Sequence, residues 1–156
     1  MRKRFVCGGV RFVVAVWFSA ALLGCGGSDI TRNYPSNLAQ VASASGMNLD
    51  IYVPARLPKG LVPGPGGADY DQKRQGIGYV LVRPRDPGQG VLIITYRPWY
   101  PNLGITEEGR IIYGPKGLPG LELKRGTTRI FLASYDSSIR EAELREIAKS
   151  LTLLKR

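Results

Sequence analysis

The side chains whose placement invites chemistry are few: two local acid pairs, three serines near the C-terminus and one cysteine behind an apolar run. Asp69 stands with Asp71, and Glu107 with Glu108. Glycosidic-bond hydrolysis uses two carboxyls facing each other roughly 5–10 Å apart. Chain neighbours on a strand point to opposite faces, so these acids read as solvated loop residues. Asp69-Tyr70-Asp71 also lacks the further oxygen ligands and glycine of a calcium loop. Ser134, Ser137 and Ser138 stand outside any Gly-x-Ser-x-Gly pattern and read as capping and turn residues. The chain has no histidine. That removes Ser-His-Asp and Cys-His nucleophile activation and His-based metal sites. No catalytic residue, metal or cofactor is expected.

There are two cysteines, Cys7 and Cys25. Arg2, Lys3 and Arg4 form a basic start, and Val10 to Leu23 is apolar apart from Arg11 and Ser19. A basic n-region followed by an apolar h-region of roughly 7–15 residues is the layout of a secretory signal. A permanent span needs about 20 apolar residues. The run ends in Leu22-Leu23-Gly24-Cys25-Gly26-Gly27-Ser28. This resembles the bacterial lipobox, with an aliphatic residue three before the cysteine and a small residue just before it. The resemblance implies a diacylglyceryl group on the Cys25 thiol and cleavage between Gly24 and Cys25. Competing readings are ordinary cleavage after Ser19-Ala20-Ala21, an uncut anchor, or Cys25 as a plain thiol.

Removing residues 1–24 leaves 132 residues, about one small domain. Those 24 carry four basic and no acidic residues, so the net charge falls from +10 to +6. With the basic residues spread along the chain, this reads either as solubility or as attraction to anionic headgroups, wall polymers or an acidic partner. The expected partners are the membrane, through lipid on Cys25, and an envelope protein or anionic polymer; nucleic acid is not expected. Cys25 alone would remain after processing, which leaves no disulfide and no thiol cluster.

Residues 25–47 are Gly-, Ser-, Ala- and Asn-rich and read as a flexible tether, although Leu38, Val41 and Ala42 share a face on a short helix. The domain is expected over 48–156. Alternation over 49–53 predicts a strand that Pro54 ends. Pro63-Gly64-Pro65-Gly66-Gly67 predicts a loop. Residues 77–83 and 91–97 predict a hairpin with more than two residues in its turn, and 110–113 a further strand. Residues 121–125 and 128–135 predict a second hairpin with Gly126-Thr127 at its tip. Ile130 and Leu132 fall on one face there, and Phe131, Ala133 and Tyr135 on the other. Ser138 and Glu141 form a capping-box pattern, and Leu144, Ile147, Ala148 and Leu151 an apolar helix face. The sum is an α+β domain: an antiparallel sheet of about five to six strands with a C-terminal amphipathic helix on one face. Tyr96, Trp99 and Tyr100 gather near prolines at a strand end. They read as core closure or, alternatively, as a ligand or partner contact.

Tyr52-Val53-Pro54-Ala55-Arg56-Leu57-Pro58-Lys59-Gly60 and Leu144-Arg145-Glu146-Ile147-Ala148-Lys149-Ser150-Leu151 together resemble a bacterial domain-of-unknown-function family. Its members are extracytoplasmic lipoproteins and single-span proteins related to anti-sigma factors and sporulation lipoproteins. The likeness spans roughly residues 48–154. The tryptophan of that family's last hairpin is absent; Glu122 or Leu123 stands near its place. The resemblance implies no enzymatic activity and no known ligand. The sequence reading is therefore a lipid-anchored envelope lipoprotein with a small non-catalytic binding domain. The alternatives are an envelope hydrolase acting on glycan or peptide, and a structural accessory of a larger complex.

Overall fold

A computed structural model describes residues 32–97 and 104–154. The expected signal, its cleavage point at Gly24, and Cys25 lie outside the described residues, as do Trp99 and Tyr100. The chain runs α1 (Leu38–Ala44), β1 (Tyr52–Pro54), β2 (Val62–Asp71), β3 (Gly76–Arg83), β4 (Asp86–Tyr96), β5 (Arg110–Tyr113), β6 (Pro119–Arg125), β7 (Thr128–Ser134), α2 (Glu141–Lys149) and β8 (Leu151–Leu153). Six strands form one antiparallel sheet in the order β2-β3-β4-β7-β6-β5, and β1 pairs with β8 in a two-stranded ladder. The class is α+β. No helix among the described residues is long and apolar enough to cross a membrane.

Alternation explains which face is buried. Thr128, Ile130, Leu132 and Ser134 of β7 are buried while the residues between them are not. Ile77, Tyr79 and Leu81 of β3 and Val91, Ile93 and Thr95 of β4 do the same. Against this face pack Leu144, Ile147 and Ala148 of α2, Leu38 and Ala42 of α1, and Leu49, Ile51 and Val53 around β1, all in one apolar cluster. Each fully buried aliphatic side chain stabilises the fold by about 1.5–3 kcal/mol before its entropy cost.

Several sequence expectations need correction. The tether does not extend to residue 47: Leu38 is fully buried and Ala42 nearly so. Asn37, just ahead of α1, donates from Nδ2 to the Ala68 carbonyl (3.0 Å) and accepts the Ala68 N–H on Oδ1 (2.8 Å). The side-chain amide thus acts as one more strand residue beside β2. The Pro-Gly segment is not a loop but part of β2, an edge strand. Edge strands tolerate proline because one side of the ladder needs no donor. Residues 64–67 leave the register as a bulge between Pro63 and Ala68.

The first hairpin turns on Pro84 and Arg85 alone, and the extra residues 87–89 form a bulge between Asp86 and Gly90. Gly90 is required there: a Cβ would lie 2.0 Å from the Leu81 carbonyl oxygen. The C-terminal helix starts later than Ser138. Arg140 is its N-cap, and the Glu143 side chain accepts the Arg140 N–H (3.1 Å). Ser138 instead donates its N–H to Asp136 (2.6 Å). Leu151 leaves the helix to begin β8.

Candidate binding face

With both helices on one side of the sheet, the other side is open among the described residues. Register places Arg110, Glu122, Phe131 and Ile94 in one cross-strand row, and Ile112, Gly120, Ala133 and Leu92 in the next. Continued through Gly78, the first row reaches Asp69 on β2, and Asp71 stands across Gly76 from Tyr96, so this face carries an apolar strip with Glu122 on one side and Asp69 and Asp71 on the other.

Glu122 is 8% exposed and serves as a hub. The Tyr96 hydroxyl donates to its Oε1 (2.9 Å), and Arg110 Nε and Nη2 donate to its Oε2 (3.3 and 3.0 Å). Arg129 Nε lies 3.4 Å from Oε1. The Arg129 guanidinium also sits 5.8 Å from the centroid of the Tyr96 ring, within cation–π range. Burial, then the hydrogen bond and charge of Glu122, push the Tyr96 hydroxyl up to about 12, with Arg129 acting the other way. Two guanidiniums on one carboxylate leave the cluster positive.

Two depressions meet at Phe131. One, of about 540 Å³, is lined by Leu92, Ile94, Tyr96 and Phe131 with Lys73 and Arg74 at its rim. The other, of about 520 Å³, runs past Ala133 and Gly120 to Ile112 and Tyr113, with Lys116 at its far end. Gly120 allows this shape. A Cβ there would lie 2.9 Å from the Phe131 ring, so only glycine lets the ring lie down between the depressions. A third depression, of about 480 Å³, is charged and lies between Glu107, Glu108, Arg125 and the end of α2.

Of the aromatic trio, Tyr96 takes part in the open face, while Trp99 and Tyr100 lie outside the described residues. Asp69 and Asp71 are two apart on β2, so they share a side of the strand and do not splay. Each is tied down locally. Asp69 accepts the Tyr70 N–H (2.8 Å), and Asp71 accepts the N–H groups of Lys73 (2.9 Å) and Arg74 (3.1 Å) and pairs with the Arg74 guanidinium (3.5 Å). Ser134 donates to the Pro119 carbonyl (2.7 Å). Among the described residues no three His, Cys, Asp or Glu side chains gather as a metal-binding group.

Elsewhere polar groups hold the frame. Asp136 accepts the Gly90 N–H (2.7 Å) as well as that of Ser138. Burial pushes its carboxyl up, but hydrogen bonds from Ser138 and Gly90 and the nearby Arg83 charge win and hold it below the usual range. Arg83 joins β3 to α2 through Glu143 at 2.8 Å. Tyr113 donates to Glu141. The Tyr79 hydroxyl is buried without a hydrogen-bond partner, and burial holds it far above the ordinary tyrosine range.

The residues of the open face that sequence reasoning missed are Glu122, Arg110, Arg129, Leu92 and Ile94. A signal existed. Val91-Leu92-Ile93-Ile94 is apolar at consecutive positions, and a strand apolar on both faces must present one of them away from the core. Compared with family models, curated proteins and solved structures, the chain matches none.

Proposed function

We propose that this chain is a lipid-anchored envelope lipoprotein, held through Cys25, whose domain is a non-catalytic binding module working through the open face of its six-stranded sheet. The observation that carries the binding part is the placement of both helices and the β1–β8 ladder on one face, leaving Leu92, Ile94, Phe131 and Ile112 without a covering layer among the described residues. A half-buried apolar strip beside a polar cluster is the composition of a recognition surface. The carboxylates of this face are engaged in ion pairs and turn hydrogen bonds, which favours a structural role for them over acid–base chemistry. The anchor rests on Leu22-Leu23-Gly24-Cys25 and the basic and apolar segments before it. The domain-of-unknown-function resemblance over 48–154 belongs to the same proposal.

Two measurements test it. Intact mass of the membrane-extracted protein is expected to show diacylglycerol on Cys25, absent in Cys25→Ala; an unmodified start elsewhere would overturn the anchor. Affinity capture from membranes should recover a ligand or partner that Ile94→Gln loses and Lys149→Gln keeps. Equal capture by both variants would remove the open face from the proposal.

A further inference from the structure

The two depressions share Phe131 in their linings and together make a trough across the sheet in two parts, with Lys73 and Arg74 lining one part and Lys116 the other. From β4 to β5 it crosses three strand spacings, about 14 Å at roughly 4.8 Å each. Its floor is hydrocarbon: Leu92, Ile94 and Phe131, continuing to Ala133 and Ile112. Lys73 and Arg74 stand at one rim and Lys116 at the other. Three acids share this face with the cations, Glu122, Asp69 and Asp71. Both oxygens of Glu122 are taken by Tyr96, Arg110 and Arg129, while Asp71 accepts the N–H groups of Lys73 and Arg74 and Asp69 that of Tyr70. The Arg74–Asp71 pair is 70% and 42% exposed, so it binds Arg74 weakly and leaves its charge available to a visitor.

An apolar trough with cations at its rim is complementary to a molecule with a chain and an anionic head. We propose that the trough binds a single-chain anionic lipid, its acyl chain lying across Phe131 and its head against Lys73 and Arg74. This rests on the open-face reading and names the ligand class for it. A neutral hydrophobe satisfies the floor but not the rim. An acidic peptide satisfies the rim but leaves the hydrocarbon floor without a match, since its backbone brings polar groups over Leu92 and Ile94 that have no partners there.

The test uses the full chain in phosphatidylcholine nanodiscs, incubated with palmitate that carries a photoactivatable diazirine, and maps the cross-linked residues by mass spectrometry. Labelling is expected on β4 and β7, centred on Leu92, Ile94 and Phe131. Each rim cation contributes about 1 kcal/mol against an anionic lipid, so Lys73→Gln with Arg74→Gln should require roughly thirty times more probe. Both residues are exposed, so that variant keeps its fold, checked by an unchanged circular dichroism spectrum. Ile94→Gln should abolish labelling of the trough, and the diazirine alcohol of the same chain length should label weakly. Labelling spread over the helices, equal labelling by the alcohol, or no effect of the rim variant would each overturn the inference. If partner capture depends on Ile94 while palmitate does not label, the lipid inference falls and the open-face reading stands. If palmitate labels the trough and Cys25 proves unmodified, the anchor falls and the inference stands.

Discussion

Replacing Glu122 by glutamine should lower stability by about 2–4 kcal/mol, a magnitude that follows from who surrounds the carboxylate. Breaking a buried ion pair costs about 3–5 kcal/mol because the partner is left charged and unpaired. Arg129 is in that situation, with its side chain 15% exposed opposite a Glu122 side chain at 11%. Arg110 is not: at 54% exposed it returns to water at little cost. The amide oxygen that Glu122→Gln leaves in place still accepts from Tyr96, which recovers about 1 kcal/mol. The net loss should lower the thermal midpoint, followed by circular dichroism, by about 6–20 °C for a domain of this size. A double-mutant cycle should place the larger coupling on Arg129 and less than about 1 kcal/mol on Arg110. The same variant should bring the Tyr96 hydroxyl down from about 12, because it removes the Glu122 charge and leaves that of Arg129. A neutral Glu122→Gln, or a coupling carried mainly by Arg110, would refute the assignment of Glu122 as the buried hub.

Leu38→Ala should destabilise by about 2–5 kcal/mol in urea titration, as for any fully buried leucine; no change would restore the tether reading. Tyr79→Phe should be neutral or raise the thermal midpoint by a few degrees, because it deletes a buried hydroxyl with no partner. Raising the pH should weaken the fold between the ordinary tyrosine value of 10.0 and about 12, since Tyr96 binds its proton more tightly folded than unfolded. Asp136 runs the opposite way. Its folded carboxyl is held below the unfolded value of 3.8, so its contribution is present above that value and is lost as the pH falls. The stability gap between wild type and Asp136→Asn, measured by urea titration, should therefore close in acid.

Legibility followed the strength of local pattern. The β6–β7 hairpin, the β3–β4 pair and the α2 face were readable because alternation and helical spacing of apolar residues are dictated by which side meets the core. β2 was not, because its prolines and glycines carry loop chemistry, and only its place at the sheet edge makes them harmless. α1 showed only as a short apolar face within the expected tether, for a related reason. Seven residues of alanine-rich sequence make a marginal helix alone, and the burial of Leu38 and the Asn37–Ala68 hydrogen bonds depend on partners far along the chain. Glu122 was out of reach because its meaning depends on Arg110 and Arg129 arriving by cross-strand register.

The burial of α1 also bears on how the domain is held. A tether reaching residue 47 would let a lipid-anchored domain wander tens of ångströms from its membrane. With Asn37 bound to β2, the stretch from Cys25 to Arg32 is what separates the proposed anchor from the first described residue. Seven residues reach at most about 25 Å even when fully extended. Anchoring at Cys25, as proposed, would then keep the β2 side of the sheet near the lipid surface. Lys73 and Arg74 follow β2 directly, at the turn into β3. Short attachment and a cationic rim at that end of the sheet favour the same ligand chemistry, because an anionic lipid leaving the bilayer would meet that rim before the hydrocarbon floor.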